Sequence, residues 1–279
     1  MISMTPLFPV AINSWFMNQL PFVNRMKMIQ AAGFTQTALW WTTDSPDREE
    51  YPAIVRDHGI IVESSHIEYL CADDIWSETA SVRQDVVDLY ITRIKECARH
   101  QIPLIVLHAC HKDGKPGPHK TGLECFKTVM QAAEDYGVEV AVENTSNTDI
   151  LDYVFRELQS PVMKYCYDSS HDQLYSAVKG ELLSKYGPLL AVTHFSDNDG
   201  KIDCHWTPGH GIVDWKLIAA KFPVKTYRGA LSLEVGPAVF EKDLSPESFL
   251  QNAFQQISKI RELIVAEYTA QQGSESSGK

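Results

Sequence analysis

Four residues carry the first chemical signal in this chain: Glu143, Asp168, His194 and Glu234. Each closes, or nearly closes, a short apolar run: VEVAVEN (138–144), VMKYCYD (162–168), LLAVTHF (189–195) and ALSLEVG (230–236). Three carboxylates converging in an apolar setting repel one another and lose hydration. A divalent cation among them removes both costs. The O,O,N,O donor set suits Mn²⁺ or Zn²⁺ foremost, with Co²⁺ or Mg²⁺ as further options, better than a thiolate-seeking ion. Each residue alone has a plainer explanation, a cap or loop carboxylate or a satisfied core histidine. It is the joint pattern that points to one metal ion.

More residues of the same types lie nearby. His66 and His108 close two earlier runs, His171 follows Asp168 in YDSSHD, and KIDCHWTPGHG (201–211) holds Asp203, His205 and His210. His66, His108, His171, Asp203 and His205 either orient ligands and hold substrate or bind additional ions. His210 lies in PGHG, which reads as a tight turn at the surface. Trp15, Trp40 and Trp206 offer apolar walls for the face of a sugar, or simply plug the mouth of the fold. The loop HKDGKPGPHK (111–120), with Lys112, Lys115 and Lys120, reads as a solvated basic loop or as a grip on a substrate phosphate.

These residues need elements to position them. The four runs above follow four others: LFPVAINSW (7–15), FTQTALWW (34–41), IIVESSH (60–66) and PLIVLHA (103–109). Near-continuous apolar runs of this length are the mark of parallel strands covered on both faces. Between them lie helical patterns. Val82, Val86, Leu89, Tyr90, Ile94 and Cys97 recur at helical spacing over 82–98, as do Leu250, Phe254, Ile257 and Ile264 over 249–264, after a Ser245–Pro246 start signal. His58 and His100 fall at expected helix C-termini, where the helix dipole explains them.

Strands alternating with helices over 279 residues predict an α/β chain folded as a single (β/α)8 barrel over 1–270, with a disordered polar tail, QQGSESSGK, at 271–279. An open doubly wound sheet would carry a glycine-rich turn after its first strand, and NSWFMNQLP has no glycine. In a barrel the site lies at the C-terminal ends of the strands, where these residues fall.

Lys plus Arg number 25 against 36 Asp plus Glu, a net charge of −11, which disfavours nucleic acid as a partner. The cysteines lack CxxC spacing and read as free thiols. No signal peptide and no membrane span are legible, so the expected location is cytoplasmic.

The segments SSHIEY, VLHA, VAVENT, CYDSSHD, HFSDNDGKIDCHWTPGHGIVDW and LSLEVG, in this order, resemble the xylose-isomerase-like TIM barrels. That superfamily includes sugar phosphate isomerases and epimerases, and also endonuclease IV. The likeness spans roughly 8 to 265. For the isomerases and epimerases it implies one divalent metal on Glu143, Asp168, His194 and Glu234. Glu143 and Glu234 would then move a proton next to a carbonyl, through an enediolate. For endonuclease IV it implies up to three Zn²⁺, the further ligands being His66, His108, His171, Asp203 and His205, and an abasic DNA substrate. The acidic charge, and early loops poor in basic residues, favour a small sugar or sugar phosphate. An inosose-type dehydratase would use the same site. Sugar 3-epimerases often carry an Arg shortly after the strand-seven His, where this chain has HFSDNDGKID. A homo-oligomer is compatible with such enzymes, but no segment reads as its interface.

Overall fold

The computed structural model describes residues 8–111 and 117–277. Its eight strands are β1 (Val10–Asn13), β2 (Gln36–Trp40), β3 (Ile61–His66), β4 (Leu104–His108), β5 (Glu139–Glu143), β6 (Met163–Asp168), β7 (Leu190–His194) and β8 (Leu231–Leu233). Each lies inside one of the eight apolar runs. From β1 to β7 each strand pairs in parallel with the next, and β8 pairs in parallel with β1. Between β7 and β8 the ring is joined by one bridge, Phe195 to Leu233. There the Phe195 N–H donates to Ser232 O at 2.9 Å and the Glu234 N–H to Phe195 O at 3.2 Å. The result is a nearly closed (β/α)8 barrel.

Strand side chains alternate in direction. Leu104, Val106, Ala141, Cys166 and Val192 form a small cluster of their own inside the barrel. Ile105, Leu107, Val140, Val142, Tyr165 and Tyr167 belong to the large core between sheet and helices. Two residues on from the innermost positions, the same parity brings His108, Glu143, Asp168 and His194 into the barrel mouth.

Two strands reach that parity through a register shift. In β3, Thr37 pairs with Val62 but Ala38 pairs with Ser64, leaving Glu63 as an extra residue. In β7, Tyr165 pairs with Leu190 but Cys166 pairs with Val192, leaving Ala191 extra. Val62 and Leu190 pack outward in the large core, so without these bulges His66 and His194 would face outward as well.

The helices are α1 (Phe22–Ala32), α2 (Tyr51–Asp57), α3 (Ala80–Arg99), α4 (Lys120–Tyr136), α5 (Thr148–Glu157), α6 (Ser169–Tyr175), α7 (Glu181–Tyr186), α8 (Trp215–Lys221) and α9 (Pro246–Ser277). The helical stripes on 82–98 and 249–264 are the buried faces of α3 and α9. His58 and His100 cap the C-termini of α2 and α3. The polar stretch from 271, expected to be disordered, instead continues α9 as far as Ser277. Gln271 helps to dock it, donating to Ala220 O at 2.8 Å. Among the described residues no helix is long and apolar enough to cross a membrane.

Candidate functional site

Glu143, Asp168, His194 and Glu234 are all buried at the C-terminal mouth of the barrel, with one ligand atom from each lying within 4.8 Å of the others. His194 Nδ1 is 3.1 Å from Glu143 Oε2 and 3.0 Å from Glu234 Oε2. These approaches lack hydrogen-bond alignment. Both Glu143 oxygens, Asp168 Oδ2 and both His194 nitrogens are buried without a hydrogen-bond partner among the described residues. Buried polar atoms are nearly always satisfied, so several orphans converging at one point fit a divalent cation with N and O ligands.

The charges fit the same reading. Burial favours neutral carboxyls, yet His194 and His108 hold Glu143 well below the usual range. His194 likewise outweighs burial at Glu234 and holds it at about 2. Asp168 lacks that relief: burial pushes it to about 7, and the charge of Glu143 adds to the effect although His171 opposes it. Of the three acids it is the one whose ionisation near neutral pH gains most from added positive charge nearby.

The five further candidates also reach the mouth. His66 Nδ1 lies 2.8 Å from Ile67 O, which makes it the protonated nitrogen and turns the Nε2 lone pair inward. That Nε2 is 3.2 Å from His108 Nε2 and 3.5 Å from Glu143 Oε2. His66, His108 and Glu143 therefore form a second donor cluster, sharing Glu143 with the first. Asp203 bridges the other two, with Oδ2 at 3.1 Å from His171 Nε2 and 3.0 Å from His205 Nε2. Burial works against charge on these rings, but Asp168 and Asp203 hold His171 well above its ordinary value, and the Asp203 hydrogen bond raises His205 to about 10. His205 has a left-handed backbone, φ 49°. That strain is held by Nδ1 against Glu234 O at 3.2 Å and by the Gly236 N–H on His205 O at 3.0 Å.

Above these groups opens a cavity of about 470 Å³, with Glu143, Glu234, Asp203 and His205 on its lining. Trp15 and Trp40 form one wall, ring centres 5.2 Å apart, and Trp40 stacks on His66 at 5.3 Å. Trp206 does not line the cavity. Its backbone pairs with Asp197, at 2.8 and 3.0 Å, and its ring packs on Phe240 at 5.3 Å. Lys112 lies outside the described residues, as does Lys115. His210 sits in its turn against Phe240, 3.6 Å from Glu241.

Several residues went unread in the sequence. Tyr69, Thr145, Ser146 and Tyr175 also line the cavity, as does His111, which opens the loop read as a basic loop or phosphate grip. Asn144 clamps the site from behind: its Oδ1 accepts from the Asp168 N–H at 2.8 Å and the Tyr165 hydroxyl at 2.9 Å, and its carbonyl lies 2.9 Å from His171 Nδ1. Buried Asp197 accepts from the Asn198, Gly209 and Val213 N–H groups and from Trp215 Nε1. It thereby folds the loop that carries Asp203 and His205. A Cβ at Gly211 would meet Asn198 O at 2.2 Å, so only glycine fits that turn. The one legible sign of these roles was their place in the runs VAVEN and HFSDND.

A profile described as xylose isomerase-like TIM barrel matches residues 26–252. The chain belongs to that family. This xylose isomerase-like barrel is 27% identical over 197 residues to "uncharacterized protein y4fM" of Sinorhizobium fredii (strain NBRC 101917 / NGR234), a match covering 66% of this chain and 63% of the relative. Solved structures share the fold at low identity. D-psicose 3-epimerase from Clostridium cellulolyticum H10, solved with D-tagatose, superposes with a TM-score of 0.72 at 15% identity, covering 92% of this barrel and 99% of that chain. The 3-keto-D-glucoside 4-epimerase YcjR of E. coli gives 0.69 at 15%, covering 91% and 99%. A D-tagatose 3-epimerase-like protein gives 0.71 at 18%, covering 94% and 99%.

Proposed function

We propose that the protein is a divalent-metal-dependent epimerase or isomerase of a sugar or sugar phosphate, moving a proton on carbon beside a carbonyl. The observation that supports this reading is the placement of Glu143 and Glu234. Both line the cavity, both approach His194 Nδ1, and both are held ionised. Structures of like fold are named as epimerases of D-psicose and of a 3-keto-D-glucoside.

Glu143, Asp168, His194 and Glu234 would hold the ion. Bound there, a divalent cation would polarise a substrate carbonyl and acidify the adjoining C–H. Of the two glutamates, one takes the α-proton and the other returns one. Return to the same carbon from the opposite face gives an epimer, and transfer to the neighbouring carbon gives an isomer. Asp168 and His194 lie beneath the cavity lining and keep to the ligand role. His171 and His205 have their ring nitrogens engaged, so they aim Asp203, which lines the cavity and accepts from a substrate hydroxyl. Trp15 and Trp40 lie against the apolar face of the sugar and exclude water.

The test is solvent deuterium exchange into a ketohexose with Mn²⁺ present. E143Q and E234Q should each slow exchange by about 10² or more. Unchanged exchange in both variants would overturn the assignment. The His66, His108 and Glu143 cluster favours a second reading, a trinuclear zinc phosphodiesterase. Its test is incision of an abasic duplex with Zn²⁺, and the net charge of −11 opposes it. An inosose-type dehydratase would instead be recognised by loss of water from a cyclic polyol.

A further inference from the structure

Beside the main cavity lies a second of about 360 Å³, whose lining includes Ser14, Phe22, Arg25, Asp44 and Tyr51. Trp15 and Trp40 line both cavities. The unusual member is Arg25, on α1. It is 7% exposed, and no carboxylate lies within ion-pair distance of it among the described residues. One guanidinium nitrogen, Nη1, donates to Ser14 O. The guanidinium carbon stands 5.1 Å from the centre of the Phe22 ring, and Nε is buried without a partner.

The other buried arginine shows what is missing. Arg93, 2% exposed, is bracketed by the carboxylates of Glu68 and Glu96. A buried guanidinium without a countercharge is costly, and its planar fork matches an oxyanion with two acceptor oxygens. Among the described residues no carboxylate pairs with Arg25 as Glu68 and Glu96 pair with Arg93, although Asp44 stands on the same lining.

We infer that this cavity receives an anionic end group, a carboxylate or a phosphate, of the molecule whose reacting carbons lie between Glu143 and Glu234. The inference rests on the proposed function for the second half of that statement, not for the anion itself. A chain-like substrate would lie around the edge of the Trp15–Trp40 wall, its charged end on Arg25. Among the described residues Asp44 is the sole carboxylate on the lining. Its Oδ1 accepts from Trp40 Nε1 at 3.2 Å and from the Thr42 hydroxyl, which fixes the Trp40 ring and weakens any anion beside it.

The test is titration of the full chain, metal-free in chelator, with inorganic phosphate and separately with acetate, followed by calorimetry. Saturable binding of one or both is expected. R25M should weaken it about tenfold or more, R25K should retain part of it, and D44N, which keeps an acceptor for Trp40, should tighten it severalfold. Phosphate alone points to a phosphate ester and acetate alone to a sugar acid. If R25M does not fold, R25K and D44N carry the test. Absence of binding, or binding indifferent to these substitutions, overturns the inference. No turnover is measured, so an inactive protein that still binds phosphate through Arg25 sinks the epimerase reading alone. An active enzyme on neutral sugars that binds neither anion sinks the side-cavity assignment alone.

Discussion

Asp168 sets the terms on which the mouth of the barrel accepts an ion. Its carboxyl stands at about 7 because burial and the charge of Glu143 outweigh His171. A cation placed among the four donors reverses that balance, so loading expels the proton. Near pH 6.5, calorimetry with Mn²⁺ in buffers of different ionisation enthalpy should register release of more protons than at pH 8.5. D168N should remove this extra release and weaken loading while keeping the oxygen that caps α6 by accepting from the His171 N–H. A release that does not change with pH would exclude Asp168 as the group displaced.

At the scale of elements, the bulges decide where side chains point. Glu63, the extra residue of β3, has both carboxylate oxygens buried without a partner, and burial lifts it to about 7. Its folded value is raised, so the fold prefers it neutral. The fold loses stability as pH rises from the unfolded value, about 4.5, to about 7, and the loss levels off above that. The full effect is of order 3 kcal/mol. E63Q should flatten this slope in urea melts taken between pH 4.5 and 8, and an unchanged slope would show that Glu63 is solvated. The strands themselves were legible because parallel strands buried on both faces read as apolar runs, and the polar residue ending each run was visible. The bulges were not, since one added residue leaves an apolar run looking the same. Asn144 and Asp197 read as loop residues because an amide or carboxylate that satisfies backbone N–H groups has the same sequence signature as a turn. Arg25 reads as an ordinary helix cation, since nothing in FVNRMKMIQAA shows which neighbours will lack a carboxylate. Trp206 was misplaced for a related reason: the local bridge to Asp197 sets its direction, and that pairing is not written at any fixed spacing.

At the scale of the molecule, the donors come from the ends of different strands, so ion binding is coupled to the whole fold. An ion that binds only the folded chain raises stability by RT ln(1 + [L]/Kd), about 2.7 kcal/mol at a hundredfold excess over Kd. Chelation should therefore lower the melting temperature, and E143Q should shrink the difference between loaded and stripped protein. A melting temperature indifferent to chelator would remove the ion from the account. Elemental analysis complements this: about one ion per chain supports proton transfer and about three the phosphodiesterase.

The join between β7 and β8 is the thinnest in the ring, a single bridge at Phe195. His194 stands on one side of it and Glu234 on the other, their side chains 3.0 Å apart. A shared ion would act there as a clasp, fastening the last stave of the cylinder to the one before it. Amide hydrogens of Phe195 and Glu234 should then exchange with solvent faster while the clasp is undone and more slowly once it is fastened. Filling the centre and shutting the wall would be one event.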